Sequence, residues 1–253
     1  MTIDLNSDLG EGFGPWTMGD DDAMLAVVTS ANVACGGHAS DPETMYLTLK
    51  RAAERGVVIG AHPGYADREG FGRRVIPMKP AEIGRMFAAQ VGSLQAIAAL
   101  AGADVRYVKP HGALGNQAAD DRATADAIVA ATRALPGDLA VLAISGTELE
   151  VSARAAGVEV FSEIFADRTY LSNGRLVPRS RAGSVLHNAD EAADRLIRFI
   201  ESGKMPTIDG DVIELAAHSI CVHGDSAGAV DMAKRLRSRL AATGISVSPF
   251  LKA

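Results

Sequence analysis

Four of the six histidines each lie just beyond a predicted β-strand, next to a glycine or proline that fixes the backbone. They are His38, His62, His111 and His223. A single histidine at such a place is more often a capping or packing residue than a functional one. Four at the same end of a parallel sheet predict proton transfer at one shared site. By contrast, His187 lies at a helix start and His218 at a strand start, and we interpret both as structural.

Acidic and amide side chains are concentrated in the stretch from Asp4 to Gly14. Alternation along an extended strand puts Asp4, Asn6 and Asp8 on one face, with Glu11 further round the loop. A buried cluster of acids needs a cation, a proton or a histidine partner, because like charges raise each other's pKa. The stretch indicates a general base or a metal shell. The alternative is that these acids only cap helices and form turns.

Lys109 ends a predicted strand two residues before His111, so the two side chains point the same way if the extended backbone continues through Pro110. An ammonium group at this place could stabilise an oxyanion or a phosphoryl group. Its alternative role is a salt bridge to an acid of the same site, and the two roles are compatible.

A further acid and possible anion ligands follow the sixth predicted strand, at Glu163, Asp167 and Arg168. Arg73 and Arg74 could also bind an anion, although paired arginines in a loop are usually a solvated face. Cys35 lies near the same site, and we interpret it as a buried thiol rather than a nucleophile. The sequence contains no Walker motif, no Gly-x-Gly-x-x-Gly after the first strand and no His-Glu-x-x-His, so a nucleotide would be held in another way or by another chain.

Strands and helices that must position these residues alternate along the chain. The predicted strands are 2–5, 32–35, 57–59, 105–108, 139–144, 158–165 and 219–222. The predicted helices are 20–30, 42–55, 80–101, 120–134, 147–156, 190–202 and 227–243. This alternation implies a parallel sheet with right-handed crossovers. Because polar motifs follow six strands rather than one switch point, we predict a closed seven-stranded parallel β/α barrel and not an open sheet.

The bulk composition limits the organisation and the partners of the chain. Its 253 residues, 47% of them apolar, predict a single α/β-barrel domain over 1–253, with small excursions around 169–184 and 205–217. Asn173-Gly174 is typical of a hairpin turn in the first excursion. A net charge of −6 without a basic run argues against nucleic acid and anionic membranes as partners.

The expected location of the protein is the cytoplasm. Only two cysteines occur, and the N-terminal residues lack the basic and apolar segments of a secretory leader. The longest apolar runs fall well short of the roughly 20 residues that span a bilayer.

Several long motifs closely resemble the LamB/YcsF family from about residue 2 to the end of the chain. They include Asp4-Leu-Asn-Ser-Asp-Leu-Gly-Glu-Gly-Phe-Gly14, Asn32-Val-Ala-Cys-Gly-Gly-His38, Gly60-Ala-His-Pro-Gly64, Phe71-Gly-Arg-Arg74, Val108-Lys-Pro-His-Gly-Ala-Leu114, Phe165-Ala-Asp-Arg168, Leu176-Val-Pro-Arg179 and Val222-His-Gly-Asp225. The resemblance implies a barrel of the glycoside hydrolase/deacetylase type. It departs at Gly115, where the family usually has tyrosine, and this leaves space or flexibility beside His111.

The activity that the resemblance implies is ATP-dependent opening of the 5-oxoproline lactam to L-glutamate, as the A subunit of a 5-oxoprolinase that also has B and C subunits. ATP with Mg²⁺ is the expected cofactor, and a metal bound by this chain is left open. Two alternatives remain: a metal-dependent deacetylase or amide hydrolase on the same barrel, and a non-catalytic substrate-binding subunit.

Residues of the motifs and of the strand ends form the predicted site. The expected catalytic residues are Asp8, Glu11, His38, His62, Lys109, His111, Glu163 and His223. The expected substrate- or phosphate-binding residues are Asn6, Asn32, Gly36, Gly37, Arg74, Asp167, Arg168 and Asp225. In this hypothesis Lys109 and the amides of Gly36 and Gly37 stabilise negative charge, and Asp8, His38 or His62 activates water. Either His111 or His223 protonates the leaving nitrogen.

Overall fold

A closed ring of seven parallel strands forms the centre of the protein, whose computed structural model describes residues 2–225 and 228–252. The strands in chain order are β1 (Thr2–Leu9), β2 (Ser30–Ala34), β3 (Val58–His62), β4 (Val105–Val108), β5 (Ala140–Ile144), β6 (Val160–Phe165), β7 (Lys204–Pro206), β8 (Val212–Glu214), β9 (Ser219–Cys221) and β10 (Ser246–Val247). The ring runs β1-β2-β3-β4-β5-β6-β9 and closes by pairing β9 with β1. This confirms the predicted seven-stranded β/α barrel.

Helices between the strands cover the outside of the ring. They are α1 (Asp21–Leu25), α2 (Pro42–Glu54), α3 (Pro80–Ala101), α4 (Gly112–Asp120), α5 (Arg122–Ala134), α6 (Glu148–Ala155), α7 (Ala189–Ser202) and α8 (Ala229–Ala242). Asp41, Asp121 and Asn188 cap α2, α5 and α7, because their side-chain oxygens accept from the first free amides. Among the described residues, no helix is both long enough and apolar enough to span a bilayer.

Two apolar clusters stabilise the barrel. The larger one lies between strands and helices and includes Leu5, Val33 and Leu94. The smaller one is built from Val58, Tyr107, Ala140 and Leu142, with Phe161 and Phe250 packed against it. The Tyr107 hydroxyl donates to Asn32 Oδ1 at 2.6 Å, so this ring reaches the same polar interior as the acids of β1.

Strand β1 is longer than predicted, because its polar residues are part of the sheet rather than of a loop. Asp4, Asn6 and Asp8 are buried, as alternation along the strand predicts. Asp4 accepts from the hydroxyls of Ser30 and Ser219. Because these buried polar side chains have hydrogen-bond partners, they can be part of a strand. A prediction from residue types alone ends the strand where the polar residues begin.

Other boundaries and elements also differ from the prediction. Helix α1 ends at Leu25, and β2 already begins at Ser30. Helix α4 was not predicted, and Asp121 separates it from α5 by capping the second helix. Strand β10 was also missed; it pairs with the start of β1. The predicted start of the last helix at Ala227 lies outside the described residues, and α8 is described from Ala229.

Both predicted excursions contain local pairing. Around Asn173-Gly174, an isolated bridge joins Tyr170 to Leu176 in antiparallel fashion. In the second segment β7 and β8 form a two-stranded antiparallel sheet. The first of these segments contributes Leu176 and Arg179 to the cavity of the barrel.

Candidate functional site

A cavity of about 220 Å³ opens at the carboxyl ends of the barrel strands. Active sites of β/α barrels form at this end, where the loops after the strands converge. Among the predicted site residues, the cavity is lined by Asp8, His62, Lys109, His111, Glu163, Arg168 and His223. The structure therefore brings together residues from five of the strand ends that the sequence indicated.

Lys109 lies at the centre of this site, between two buried carboxylates. Its Nζ is 3.0 Å from Asp8 Oδ1 and 2.8 Å from Glu163 Oε1. Burial alone would lower the pKa of Lys109, but the charges of Asp8 and Glu163 raise it well above its usual value. The lysine is therefore a fixed cation that both forms salt bridges and faces the cavity.

The two carboxylates beside Lys109 differ in their remaining contacts. Burial would raise the pKa of Asp8, but His62 and Lys109 hold it well below its usual range. Burial raises the pKa of Glu163, and Lys109 offsets only part of that effect. Glu163 Oε2 is buried and has no hydrogen-bond partner in the part of the chain that the structure describes. Of the two, Glu163 has the oxygen and the basicity that proton transfer needs.

Asn6 and Asn32 support this charged centre from inside the barrel. Asn6 Nδ2 donates to Glu163 Oε1 at 2.9 Å, and Asn32 Nδ2 donates to Asp8 Oδ1 at 2.8 Å. Neither asparagine is among the residues that line the cavity. Both were predicted to bind substrate, whereas their contacts fix the two carboxylates.

Glu11, His38, His62 and His111 form a second buried group, which we call the histidine cluster. Glu11 Oε1 lies 3.0 Å from His38 Nε2 and 3.5 Å from His111 Nδ1. The rings of His38 and His111 are stacked with centroids 3.6 Å apart. Burial and the neighbouring histidines lower the pKa of His38 and His111 well below the usual value. Burial and the charge of Asp8 raise the pKa of Glu11 well above its usual value.

The loop after β3 shapes this cluster. Phe71 has a φ of +53°, unusual for a residue with a side chain, and its carbonyl oxygen accepts from His111 Nε2 at 2.8 Å. A Cβ at Gly72 would lie 2.6 Å from His38 Cβ, so only glycine fits between the two histidines and the loop. Backbone strain of this kind concentrates at functional sites.

The opposite side of the cavity carries a set of charges that we call the arginine wall: Asp167, Arg168, Arg179 and His223. Asp167 contacts His223 Nδ1 at 2.8 Å. Burial would raise the pKa of Asp167, but His223 lowers it. Arg168 donates to the carbonyl oxygens of Val177 and Ser184. Burial and the nearby charge of Arg179 lower the pKa of Arg168 to about 10.

Some predicted site residues lie elsewhere. Arg74 forms an ion pair with Asp67, and its side chain is 62% exposed, whereas its neighbour Arg73 lines the cavity and pairs with Asp225. The Gly36 amide donates to Ala39 O at 2.9 Å, so it is not available to stabilise an oxyanion. Gly37 packs so closely that an added Cβ would lie 2.7 Å from Gly64 O.

Sequence reasoning missed much of the apolar side of the cavity. Leu142, Ile144 and Thr147 line it at the end of β5, the one strand that no polar motif follows. Arg179 was part of a motif that carried the family resemblance, and that was the available signal for it. Gly115 also lines the cavity, and a Cβ at this position would lie 2.7 Å from Pro110 O. The backbone therefore approaches closely at this position, where the sequence predicted added space or flexibility.

The remaining histidines are not among the residues that line the cavity, and both cysteines are buried thiols. His187 is exposed, and His218 Nδ1 accepts from the Ser162 amide at 2.9 Å. Burial raises the pKa of the thiols of Cys35 and Cys221. The Sγ atom of Cys221 lies 3.2 Å from Lys109 Nζ.

Comparisons with known proteins agree over the whole chain. A protein of Rhodopseudomonas palustris, named as the A subunit of 5-oxoprolinase, is 48% identical over 251 residues, which are 99% of each chain. A protein of Nocardia farcinica with the same name is 53% identical over 251 residues, covering 99% of this chain and 100% of that one.

The crystal structure of a lactam utilization protein from Thermus thermophilus superposes with a TM-score of 0.91 at 38% identity, covering 98% of this chain and 99% of that chain. Residues 3–253 match the LamB/YcsF family. The match includes every strand-end motif that contributes to the cavity. This chain is therefore a member of the LamB/YcsF family.

Proposed function

We propose that this chain takes part in the ATP-dependent opening of the 5-oxoproline lactam to L-glutamate, as the A subunit of a 5-oxoprolinase. The observation that carries the proposal is the buried Lys109, held between Asp8 and Glu163 in a cavity that histidines and arginines also line. The names of two relatives that match the whole chain support the substrate. Lactam opening needs an anion-stabilising cation, a base for water and an acid for the leaving nitrogen, and the cavity offers a candidate for each.

Lys109 is the candidate for stabilising negative charge. A lactam carbonyl is protected by amide resonance, and transfer of a phosphoryl group from ATP to its oxygen would make the carbon a better electrophile. The Lys109 ammonium would stabilise the negative charge that develops when water adds to that carbon. Because the lysine is already fixed by two carboxylates, little reorganisation is needed during the reaction.

Glu163 is the candidate general base for that water. Its Oε2 has no hydrogen-bond partner among the described residues, and burial raises its pKa above the usual value. The three residues first expected to activate water are less suitable. Asp8 has a lowered pKa, His38 is not among the residues lining the cavity, and His62 Nε2 faces His111 Nδ1 at 3.0 Å.

His223 is the candidate acid for the ring nitrogen. Asp167 occupies its Nδ1, which leaves Nε2 to exchange a proton with a molecule in the cavity. A carboxylate that accepts from an imidazole N–H in this way fixes the orientation of the ring. His111 is less suitable, because Phe71 O occupies its Nε2 and its Nδ1 faces His62.

Arg168 and Arg179 are the candidates for binding the substrate carboxylate. Burial and the like charge of Arg179 lower the pKa of Arg168, and an anion between the two arginines would remove their repulsion. In the complete reaction water adds to the activated carbon and the lactam C–N bond breaks as the nitrogen takes up a proton. A second water then hydrolyses the remaining acyl phosphate, so that glutamate, ADP and phosphate are the products. The proposal includes ATP with Mg²⁺ and the B and C subunits. Because the sequence contains no nucleotide-binding motif, ATP would be held in another way or by another chain.

The test is an assay of glutamate formation from 5-oxoproline by the reconstituted A, B and C subunits, with and without ATP. We expect turnover only when ATP and all three subunits are present. Lys109→Met should reduce kcat by about 100- to 1,000-fold, whereas Lys50→Met on the exposed face of α2 should leave it unchanged. Full turnover by Lys109→Met would contradict the proposal.

A metal-dependent amide hydrolase is the second candidate, and the histidine cluster favours it because it brings three imidazoles and a carboxylate together. Such an enzyme would cleave its substrate without ATP and would lose activity in a chelator. A non-catalytic substrate-binding subunit would bind 5-oxoproline in calorimetry, and substitutions in its cavity would raise KM of the reconstituted complex without lowering kcat. Calorimetry and the same assay, run with and without ATP and a chelator, therefore separate the three functions.

A further inference from the structure

Two histidines of the cluster have their tautomers fixed by backbone carbonyl oxygens. His62 Nδ1 lies 2.7 Å from Lys109 O, and His111 Nε2 lies 2.8 Å from Phe71 O. A carbonyl oxygen only accepts hydrogen bonds, so each of these nitrogens carries a proton. In the neutral rings the opposite nitrogens, His62 Nε2 and His111 Nδ1, are therefore lone-pair acceptors.

These two lone-pair nitrogens face each other at 3.0 Å. Two acceptors at hydrogen-bond distance repel each other unless they share a cation. Glu11 Oε1, another acceptor, lies 3.5 Å from His111 Nδ1, and Asp8 Oδ2 lies 3.4 Å from His62 Nε2. The surroundings thus add negative charge to a pair of atoms that already requires a positive one.

The distances match those between neighbouring ligands of one metal ion. Zinc binds imidazole nitrogen and carboxylate oxygen at about 2.0–2.1 Å, so two of its ligands are about 3.0 Å apart at a right angle and about 3.4 Å apart at a tetrahedral angle. The nitrogen pair is 3.0 Å apart, and Glu11 Oε1 is 3.5 Å from His111 Nδ1. We propose that His62 Nε2, His111 Nδ1 and Glu11 Oε1 form a binding site for one divalent ion of the Zn²⁺ class.

Two features of the surroundings support this ligand set. In metal sites a ligating histidine usually donates its other N–H to a carbonyl or carboxylate, as both His62 and His111 do here. Two imidazoles and one carboxylate are also a set that zinc uses when its fourth position stays open to water or substrate. His62 and His111 line the cavity, so an ion between them lies at its wall.

His38 is a positioning residue in this proposal rather than a ligand. Its Nε2 lies 3.0 Å from Glu11 Oε1, and within the described residues its Nδ1 is buried without a partner. An N–H at Nδ1 would be an orphaned buried donor, which is rarer than an unused acceptor. His38 therefore donates from Nε2 and orients the Glu11 carboxylate.

The test measures metal binding to the isolated full-length chain, stripped with EDTA and titrated with Zn²⁺ in a calorimeter. We expect one ion per chain. Loss of a residue that orients a ligand typically weakens metal binding by about 10- to 100-fold, and we expect an effect of this size for His38→Gln. Glu11→Gln and His111→Ala should each weaken binding by more than that. His187→Ala, which changes an exposed histidine, should bind as the wild type does.

A nitrogen-detected NMR experiment on the same samples identifies the ligating atoms. Zn²⁺ should shift the unprotonated nitrogens of His62 and His111 and leave their N–H nitrogens protonated. The proposal is overturned if the wild-type chain binds no stoichiometric ion, or if Glu11→Gln, folded by circular dichroism, binds Zn²⁺ as tightly as the wild type.

The measurement needs neither substrate nor ATP nor the other two chains of the proposed complex. Failure to bind metal and failure to open the lactam are therefore separate results.

Discussion

The two sides of the cavity are built from similar residue types but differ in how those residues are held. In the histidine cluster, His62 and His111 are tied to backbone carbonyls, and all four members are buried. In the arginine wall, Arg179 is exposed, and His223 has one ring nitrogen that Asp167 leaves unoccupied. The side chains of the histidine cluster are therefore held in one arrangement before anything binds, as an ion site requires. The arginine wall instead keeps groups that are available to bind substrate.

Lys109 and Glu163 connect the two sides, and the largest effect should come from there. Glu163→Gln keeps the shape of the side chain and removes its basicity, so kcat of the reconstituted complex should fall by about 100- to 10,000-fold. The melting temperature of the chain should change little in comparison. Glu159→Gln, at an exposed position before β6, is the matched control. Equal kcat in the two variants would remove Glu163 from the reaction.

The pH dependence of stability tests whether the buried polar residues of β1, inside the barrel, are held as firmly as the histidine cluster. Burial raises the pKa of Asp4 to about 6, and hydrogen bonds from Ser219, Thr29 and Ser30 offset part of the effect. The folded state therefore holds this proton more tightly than the unfolded state. The resulting stability is complete below about pH 4 and is lost as the pH rises through about 6.

Asp4→Asn should remove this dependence. The free energy of unfolding of the wild type, relative to the variant, should drop by about 3 kcal/mol between pH 4 and pH 7.5, since one pKa unit corresponds to about 1.4 kcal/mol. Urea denaturation at several pH values measures it. Asp231→Asn, at an exposed carboxylate, should show no such trend relative to the wild type. A parallel pH profile for Asp4→Asn and the wild type would mean that Asp4 stays ionised in the fold.

Gly72→Ala tests how tightly the histidine cluster is packed. The new Cβ would lie 2.6 Å from His38 Cβ, at a φ of +63°. Gly146 has a similar φ of +73° and no heavy atom within 4 Å of an added Cβ, so Gly146→Ala reports backbone strain alone. We expect Gly72→Ala to lower the free energy of unfolding by about 1–3 kcal/mol more than the control. Equal losses of unfolding free energy in the two variants would show that the histidine cluster can shift to accommodate the added Cβ.

The smallest effect should come from a substitution in the arginine wall, and it should alter only the affinity for substrate. Arg179→Gln should raise KM for 5-oxoproline about tenfold and leave kcat nearly unchanged, because a charge-assisted contact made equally in the ground and transition states is lost. Arg181→Gln, which breaks an exposed pair with Asp209, is the control. A fall in kcat without a change in KM would instead place Arg179 in the chemistry.

Much of the fold could be predicted because its signals are local. Alternating strands and helices, with polar motifs after most strands, predicted the closed parallel barrel, and the period of two along β1 predicted the inward side of Asp4, Asn6 and Asp8. Helix α4 was missed because no side-chain cap marks its start at His111. Strand β10 was missed because its partner, the start of β1, lies at the other end of the chain.

The sequence by itself determined which residue types arrive at the mouth of the barrel, since each follows a strand whose end must lie there. Only the tertiary structure decided what each of them contacts. It distinguished Arg73 in the cavity from Arg74 on the surface, and it placed Asn6 and Asn32 in contact with the carboxylates of Glu163 and Asp8. The physical reason is that hydrogen-bond partners, burial and pKa depend on groups distant in sequence. Lys109 lies 101 positions from Asp8, yet their charges meet at 3.0 Å.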